Sequence, residues 1–167
     1  DEFLSSMVEA ALKKLPVAKL MRWGAGEAQF VRPVHGLMLM HDGRIIHGEV
    51  LGLASRNVTR GHRFMSVGVI DIARAGDYES RLEKEGGGIA SFERRREMIR
   101  GQLDAVAAGR SWLQDDALLD EVTALVEFPA VYEAGFDDEF LAVPQECLIL
   151  TMKANQKYFP LMDGGRL

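Results

Sequence analysis

Apolar residues near the start of the chain recur every fourth position, and this spacing predicts an amphipathic helix over residues 3–15. Pro16 follows directly and ends the predicted helix, because proline cannot donate the backbone hydrogen bond that a further turn requires. The apolar face of this helix comprises Phe3, Met7, Ala11 and Leu15.

A β-hairpin is the next predicted element. Apolar residues at 34–40 and 45–53 flank the turn dipeptide Asp42-Gly43. A two-residue turn there places His41 opposite Arg44, so that the numbers of paired residues sum to 85. The same register extended outward pairs His35 with Val50 and Met38 with His47.

Three histidines in this hairpin are six residues apart, which raises the question of a metal site. Alternation along a strand places His35 and His41 on one face and His47 on the other. Two histidines without a third fixed ligand do not make a convincing metal site, so we expect no bound metal.

The rest of the chain alternates between strand-like and helix-like segments. Ser91 and Asp115 or Asp116 are typical N-caps, Gly86-Gly87-Gly88 forms a flexible break, and Pro144 suits the first position of a helix. The predicted elements are a polar loop at 54–61, a strand at 64–72, a helix from Asp77 to Gly86, helices at 91–109 and from 115 with Leu118, Leu119, Val122 and Leu125 inward, a strand at 128–132, a helix at 144–154 and a strand at 158–162.

These elements predict a mixed α+β fold with a largely antiparallel sheet and packed helices. The length of 167 residues suits one domain over 1–167, with residues 1–15 as a helix leading into it. A single cysteine excludes an intramolecular disulfide, and no apolar run is long enough to span a membrane. The acidic N-terminus lacks a signal-peptide pattern, so we expect a cytoplasmic protein.

Charge is distributed unevenly along the chain. The net charge is −5, yet residues 13–63 contain nine basic and three acidic side chains, for a balance of +6. Residues 104–146 contain eleven acidic side chains and only Arg110 as a base, for a balance of −10. Such asymmetry is typical of a protein with an anionic partner, although clustering on a solvated surface gives the same pattern.

The segment 55–65 is the strongest candidate for a binding site. It contains no acidic residue, and the planar guanidinium of arginine suits phosphate oxygens. The segment therefore predicts contact with an RNA backbone; the alternative is that its arginines pair with acids of the 104–146 segment. The residues proposed for phosphate contact are Arg56, Thr59, Arg60, His62 and Arg63.

Two further polar groups have a binding interpretation and a structural one. Arg94, Arg95, Arg96 and Arg100 suit a solvated helix face diluted by glutamates. Lys157, followed by Tyr158 and Phe159, could contact single-stranded RNA, or it could end a helix where lysine interacts favourably with the dipole. We keep Arg32 and Lys157 as secondary candidates for RNA contact.

We predict no catalytic constellation. Cys147 lies among aliphatic residues in a predicted helix, as expected for a buried small hydrophobe. The chain contains neither a nucleophile elbow nor a phosphate-binding glycine loop. Residues 163–167 form a turn that would open a hairpin, from which we expect the sequence to be part of a longer protein.

Several long strings resemble the beta subunit of bacterial tetrameric glycyl-tRNA synthetase, in order from about Leu15 to the end. The strings run Phe30-Val31-Arg32-Pro33-Val34-His35, Gly48-Glu49-Val50-Leu51-Gly52, Thr59-Arg60-Gly61-His62-Arg63-Phe64-Met65, Glu121-Val122-Thr123-Ala124-Leu125-Val126-Glu127-Phe128-Pro129, Phe140-Leu141-Ala142-Val143-Pro144-Gln145-Glu146 and Tyr158-Phe159-Pro160.

The resemblance implies a glycine–tRNA ligase of two alpha and two beta chains that uses ATP, with activation in the alpha chain and tRNA recognition in the beta chain. It also implies a fold like the editing-type domain of the phenylalanyl-tRNA synthetase beta chain. Glycine has the smallest side chain, so its enzyme can exclude larger amino acids sterically without a second sieve. We therefore expect a tRNA-contacting domain with no cofactor of its own.

Two alternatives remain open at this point. One is a structural module that docks onto the alpha chain or onto other domains of the beta chain, which large exposed apolar patches would favour. The other is a hydrolytic editing domain, for which His35 and His62 would be the first candidates as general base.

Overall fold

A computed structural model describes residues 2–167 of the chain. The chain forms two compact units, Asp1–Gly88 and Ile89–Leu167, which are treated one at a time. The expectation of a single domain over 1–167 stays a prediction.

Within its described residues, 2–88, the first unit contains two α-helices and eight short strands. They are α1 Glu2–Lys13, β1 Met21–Arg22, β2 Gln29–Phe30, β3 Met40–His41, β4 Arg44–Ile45, β5 Glu49–Val50, β6 Leu53–Ala54, β7 Val58–Arg60, β8 Val69–Asp71 and α2 Tyr78–Gly86. Consecutive strands pair two by two, always antiparallel.

Helix α1 forms where the sequence predicts it, but it buries a different face. Ser5 is buried and Val8 and Leu12 are half-buried, whereas Phe3, Met7, Ala11 and Leu15 are exposed. Ser5 packs against Gly48, where an added Cβ would lie 2.9 Å from the Ser5 Cβ. The small side chain of Ser5, rather than the predicted apolar face, thus allows α1 to lie close to the backbone at Gly48.

The first hairpin has the predicted register at its turn. His41 pairs with Arg44 and Met40 with Ile45, and Asp42 adopts the left-handed conformation with φ 53°. The register continues to Ile46, whose N–H donates to the Leu39 carbonyl at 2.9 Å. A second tight turn at Leu51-Gly52, with φ 54° and 76°, then reverses the chain and pairs Val50 with Leu53.

The predicted long strand over 45–53 is therefore wrong, and so is the pairing of His35 with Val50. Gly48 instead accepts a hydrogen bond from the Ser55 N–H at 2.9 Å, and Leu37 accepts one from Arg56 at 3.0 Å. After the second turn, Ser55 bridges to Leu37 and occupies the place that the extended register assigned to residue 48.

The second unit contains three α-helices and one pair of strands. They are α3 Phe92–Ala107, β9 Ser111–Trp112, α4 Asp116–Leu125, α5 Gln145–Thr151 and β10 Leu161–Met162. Helix α5 continues into one turn of π-helix, Met152–Gln156, and β10 pairs with β9. The Ser91 hydroxyl accepts from the Arg94 N–H, and the Asp115 carboxylate accepts from the Leu118 N–H, so both predicted N-caps are confirmed.

A hydrophobic core lies between α3, α4 and the strand pair. Its buried members are Ile99, Leu103, Ala107, Trp112 and Leu119. Phe159 packs edge-on against Trp112 with ring centroids 5.6 Å apart, and the Trp112 Nε1–H donates to Asp104 at 2.7 Å. The indole therefore buries its ring while satisfying its polar group.

Several predictions for this unit need correction. Leu125 is exposed rather than inward, because it lies at the last turn of α4, beyond the helix face that packs on α3. Residues 128–132 form no strand, because their backbone bonds to a side chain rather than to a second strand. The Gln102 side-chain N–H donates to the Pro129 carbonyl, and the Gln102 side-chain oxygen accepts from the Val131 N–H. Cys147 lies in α5 as predicted, but it is exposed.

The architecture is mixed α+β, with five α-helices and only two-stranded antiparallel sheets in the part of the chain that the structure describes. The larger sheet that the sequence predicts is absent from residues 2–167, because tight turns after two or three residues end the strands. None of the helices within this range is long and apolar enough to cross a membrane.

Candidate RNA-contacting surface

The candidate site is the connection between β7 and β8, which we call the turn surface: Arg60 together with residues 61–68. The sequence predicts a loop at 54–61, but Thr59 and Arg60 lie on β7. Thr59 pairs with Ile70, which is fully buried, and Arg60 pairs with Val69, which is exposed. Residues opposite each other share a face of the sheet, so Thr59 points inward and Arg60 outward.

The turn surface is held against the C-terminal end of α2. The His62 N–H donates to the Gly86 carbonyl at 2.7 Å, and the Val67 N–H donates to the Glu85 carbonyl at 3.2 Å. The last carbonyls of a helix have no partner within the helix, so the turn supplies partners that α2 needs. The backbone of the turn surface is thereby fixed at two points.

Glycines allow the turn surface to lie this close to α2. A Cβ added at Gly61 would lie 2.1 Å from the Gly86 carbonyl oxygen, and one added at Gly87 would lie 2.6 Å from the Met65 Cβ. Gly87 also ends α2 in the left-handed conformation with φ 59°. The glycine run 86–88, expected to be a flexible break, instead packs against the turn, and Gly86 and Gly88 are buried.

Hydrogen bonds within the turn surface fix its shape. The His62 carbonyl accepts from the Ser66 N–H at 3.0 Å, and the Ser66 hydroxyl contacts both the carbonyl and the N–H of Gly68 at 3.2 Å. The Phe64 N–H donates to Nδ1 of His62 at 3.2 Å. The proton of a neutral His62 ring therefore belongs on Nε2, where it can be donated to another group.

Large side chains project from this rigid backbone into solvent. Phe64 is 84% exposed and Val67 is 80% exposed, and Arg63 beside Phe64 is exposed as well. The Phe64 and His62 rings lie 5.9 Å apart at 57°. The sequence predicts a strand at 64–72, but only Val69–Asp71 form one, and Phe64 lies in the turn before it. Phe64 was therefore not predicted as a contact residue; its neighbour Arg63 in an acid-free segment was the available signal.

The arginines of the turn surface, Arg60 and Arg63, and the nearby Arg56 have no acidic partner among residues 2–88. These three form no ion pair within that range, and all three are exposed. By contrast, five basic side chains of the second unit pair with acids of the 104–146 segment. The pairs are Arg96–Asp116, Arg96–Asp120, Arg100–Asp116, Arg110–Glu133, Lys153–Asp115 and Lys157–Glu121, at 2.5–2.8 Å.

Charge pairing in the second unit also shifts ionisation. The Lys153 ammonium, together with the Leu118 N–H, holds the pKa of Asp115 below its ordinary value. The Arg110 guanidinium lowers the pKa of Glu133 in the same way. The acidic segment thus has basic partners within its own unit.

The remaining predicted contacts are dispersed. Arg32 is exposed and donates to the Val31 carbonyl at 3.3 Å, away from the turn surface in sequence. Lys157 lies in the second unit, half-buried and ion-paired with Glu121 at 2.8 Å. Thr59 is half-buried and inward-facing. The structure therefore brings together Arg60, His62 and Arg63 and gives Lys157 and Thr59 internal surroundings.

Other groups give the described residues no second site of clear chemistry. His35, His41 and His47 are exposed, and no three His, Cys, Asp or Glu side chains within residues 2–167 come together as a metal site. A cavity of about 750 Å³ is lined by α1, the β1–β2 hairpin and the Leu51-Gly52 turn, with Leu12, Trp23 and Phe30 among its walls. It contains none of the predicted contact residues.

Comparison with known proteins identifies the family. The family model described as "Glycyl-tRNA synthetase beta subunit" matches residues 1–167. The chain belongs to the glycyl-tRNA synthetase beta subunit family. The resemblance described from the sequence is thereby confirmed.

Curated relatives agree with the family assignment. The chain is 54% identical to the "Glycine--tRNA ligase beta subunit" of Neisseria meningitidis serogroup C, 57% identical to that of Aromatoleum aromaticum and 46% identical to that of Psychromonas ingrahamii. Each match covers 99% of this chain and 24–25% of the relative. The chain thus spans about a quarter of the length of these beta subunits.

Proposed function

We propose that this chain is a tRNA-contacting region of a glycyl-tRNA synthetase beta subunit, which supports ATP-dependent attachment of glycine to its tRNA. In this proposal the alpha chain and the other beta-chain domains are its partners, and the location is cytoplasmic. ATP use belongs to the complete ligase, and we assign no cofactor and no catalytic residue to this chain.

One observation carries the proposal: the arginines of the first unit's turn surface are exposed and unpaired among the described residues, while basic residues of the second unit are ion-paired. An exposed arginine retains its donors for phosphate oxygens, in the bidentate geometry that the guanidinium favours. Arg60 and Arg63 are the principal contacts, and His62 can add a donor through Nε2. Arg56 and Arg32 are secondary.

Binding of glycine tRNA by single variants tests this proposal. Arg60→Ala and Arg63→Ala should each weaken binding by about tenfold, as expected for loss of a charge-assisted hydrogen bond. Arg74→Ala is the matched control, because Arg74 belongs to the same unit, is exposed and pairs with Asp42 at 2.7 Å. Equal losses in all three variants would mean that only total charge matters, and the assignment to the turn surface would then be wrong.

A structural docking role is the second candidate, and it rests on α1. Phe3, Leu4 and Met7 are exposed on a helix whose packed face is formed by Ser5, Val8 and Leu12. An apolar face of this kind suits another protein surface, such as the alpha chain or another beta-chain domain. Met7→Glu should weaken assembly of the complete enzyme under this candidate and leave tRNA contact by the turn surface unchanged.

The relation to the editing-type domain of phenylalanyl-tRNA synthetase beta chains is part of the proposal at the level of fold only. Hydrolytic editing receives no support from the site: within residues 2–167 neither His35 nor His62 has a carboxylate partner that would orient it as a general base. Failure to release amino acid from mischarged glycine tRNA is the expected result of a deacylation assay.

A further inference from the structure

We infer that Phe64 is a stacking platform for an unpaired nucleobase, so that the turn surface recognises single-stranded RNA rather than duplex. This inference rests on the proposed function and specifies which RNA element the surface takes. Its first basis is exposure: Phe64 presents 84% of its surface to solvent in a turn whose backbone is fixed at both ends.

The exposed ring of Phe64 is attached to an ordered backbone. Here the chain does not leave the residue loose: the Phe64 N–H is bound by His62 Nδ1, and the flanking His62 and Val67 N–H groups are bound by α2 carbonyls. The ring is therefore presented from an ordered backbone, which lowers the entropy that a binding partner must supply.

The charges of the segment that carries Phe64 favour a nucleic acid over a protein as the partner. Residues 56–70 contain three arginines and no acidic residue, and none of those arginines has an ion pair among the described residues. Aromatic stacking combined with cations along the backbone is the general mode by which proteins bind single strands. Bases in a duplex are already stacked on each other and do not expose a face to Phe64.

Two short RNAs of equal phosphate number separate this inference from simple charge attraction. One is an unstructured strand with 2-aminopurine at a central position, and the other is a blunt duplex. We expect the 167-residue chain to prefer the single strand and to quench 2-aminopurine fluorescence. Phe64→Ala should weaken single-strand binding by about tenfold, within the range measured for removal of a stacking aromatic, and should abolish the quenching.

Matched variants make the result specific. Phe64→Trp should retain binding and quenching, because the indole also stacks, whereas Phe64→Leu should lose both while preserving an apolar side chain. Val67→Ala, in the same turn and almost as exposed, should have little effect. Circular dichroism of each variant confirms that the chain is folded.

The salt dependence distinguishes failure of the inference from failure of the proposed function. Arg63→Ala should reduce the slope of log affinity against log salt, whereas Phe64→Ala should leave the slope unchanged. If Arg63→Ala weakens binding but Phe64→Leu binds and quenches like the wild type, the stacking inference is overturned and the proposed function stands. If neither RNA binds, the proposed function itself fails, and Phe64 belongs to a protein-docking surface.

Discussion

Gly61 lies against Gly86 so closely that a single added methyl group at Gly61 would come within 2.1 Å of the Gly86 carbonyl oxygen. This contact joins the start of the turn surface to the end of α2, and the His62 N–H bond to the same carbonyl completes it. The geometry that exposes Arg63 and Phe64 therefore depends on two residues without side chains.

Gly61→Ala should displace the turn surface from α2. The obstacle is backbone, which cannot rotate away like a side chain, so we expect a loss of about 1–3 kcal/mol in the free energy of unfolding, together with weaker tRNA binding. Urea denaturation and a tRNA titration measure the two effects. Gly26→Ala, which has no atom within 4 Å of the added methyl, is the control and should change neither.

Gly101→Ala should raise the free energy of unfolding, opposite to the effect of Gly61→Ala. Gly101 lies inside α3, and a Cβ added there would have no atom within 4 Å, so alanine fits without a clash and lowers the entropy of the unfolded chain. We expect a gain of about 0.5–1 kcal/mol in the free energy of unfolding. A loss of stability in urea denaturation would show that α3 is packed against something at this position.

Leu119 and Leu125 of α4 should respond differently to the same substitution. Leu119 is fully buried in the core with Trp112, whereas Leu125 is 66% exposed. Leu119→Ala should cost about 2–5 kcal/mol through lost burial and a residual cavity. Leu125→Ala should lie within about 0.5 kcal/mol of the wild type, as surface substitutions usually do. Comparable losses in both would contradict the placement of α4.

Stability at acidic pH should depend on Asp115. Its pKa is lowered in the folded state by Lys153 and by the Leu118 N–H, so the stabilisation is complete above the unfolded carboxyl's pKa of about 3.9 and is lost as the pH falls through the lower folded value. Asp115→Asn keeps a capping oxygen without the charge. Its free energy of unfolding should therefore fall less steeply than that of the wild type as the pH is lowered from 5 to 2. Parallel curves for the variant and the wild type would show that ionised Asp115 does not stabilise the fold.

Local signals in the sequence were sufficient for most helices but not for the sheet. Ser91 and Asp115 act through hydrogen bonds to N–H groups three residues further along the chain, so their effect can be deduced without the tertiary structure. Pro16 acts because it has no N–H to donate. The Leu51-Gly52 turn places a leucine at φ 54°, a conformation that residue preferences do not predict for leucine. This turn interrupts the long strand that the sequence predicts over 45–53. The inward face of α1 depends on the small residues Ser5 and Gly48, not on the apolar stripe.

The site was predictable only in part, for a similar reason. An acid-free run of arginines identifies a candidate surface from composition alone, and Arg60 and Arg63 are indeed exposed. Exposure of Phe64 and the internal pairing of Lys157 follow from tertiary contacts with α2 and α4, which lie far away in the sequence. Charge can be counted along a chain, whereas burial is set by distant partners.

Contact between the turn surface and tRNA can be measured by a salt series with glycine tRNA, in which the wild-type chain is compared with the Arg60→Ala/Arg63→Ala double variant. We expect the wild-type affinity to fall steeply with salt and the double variant to have a slope shallower by about 2, one for each lost phosphate contact. Arg74→Ala should keep the wild-type slope. A wild-type affinity that does not change with salt, or a double variant whose slope equals that of the wild type, would contradict contact between the turn surface and tRNA.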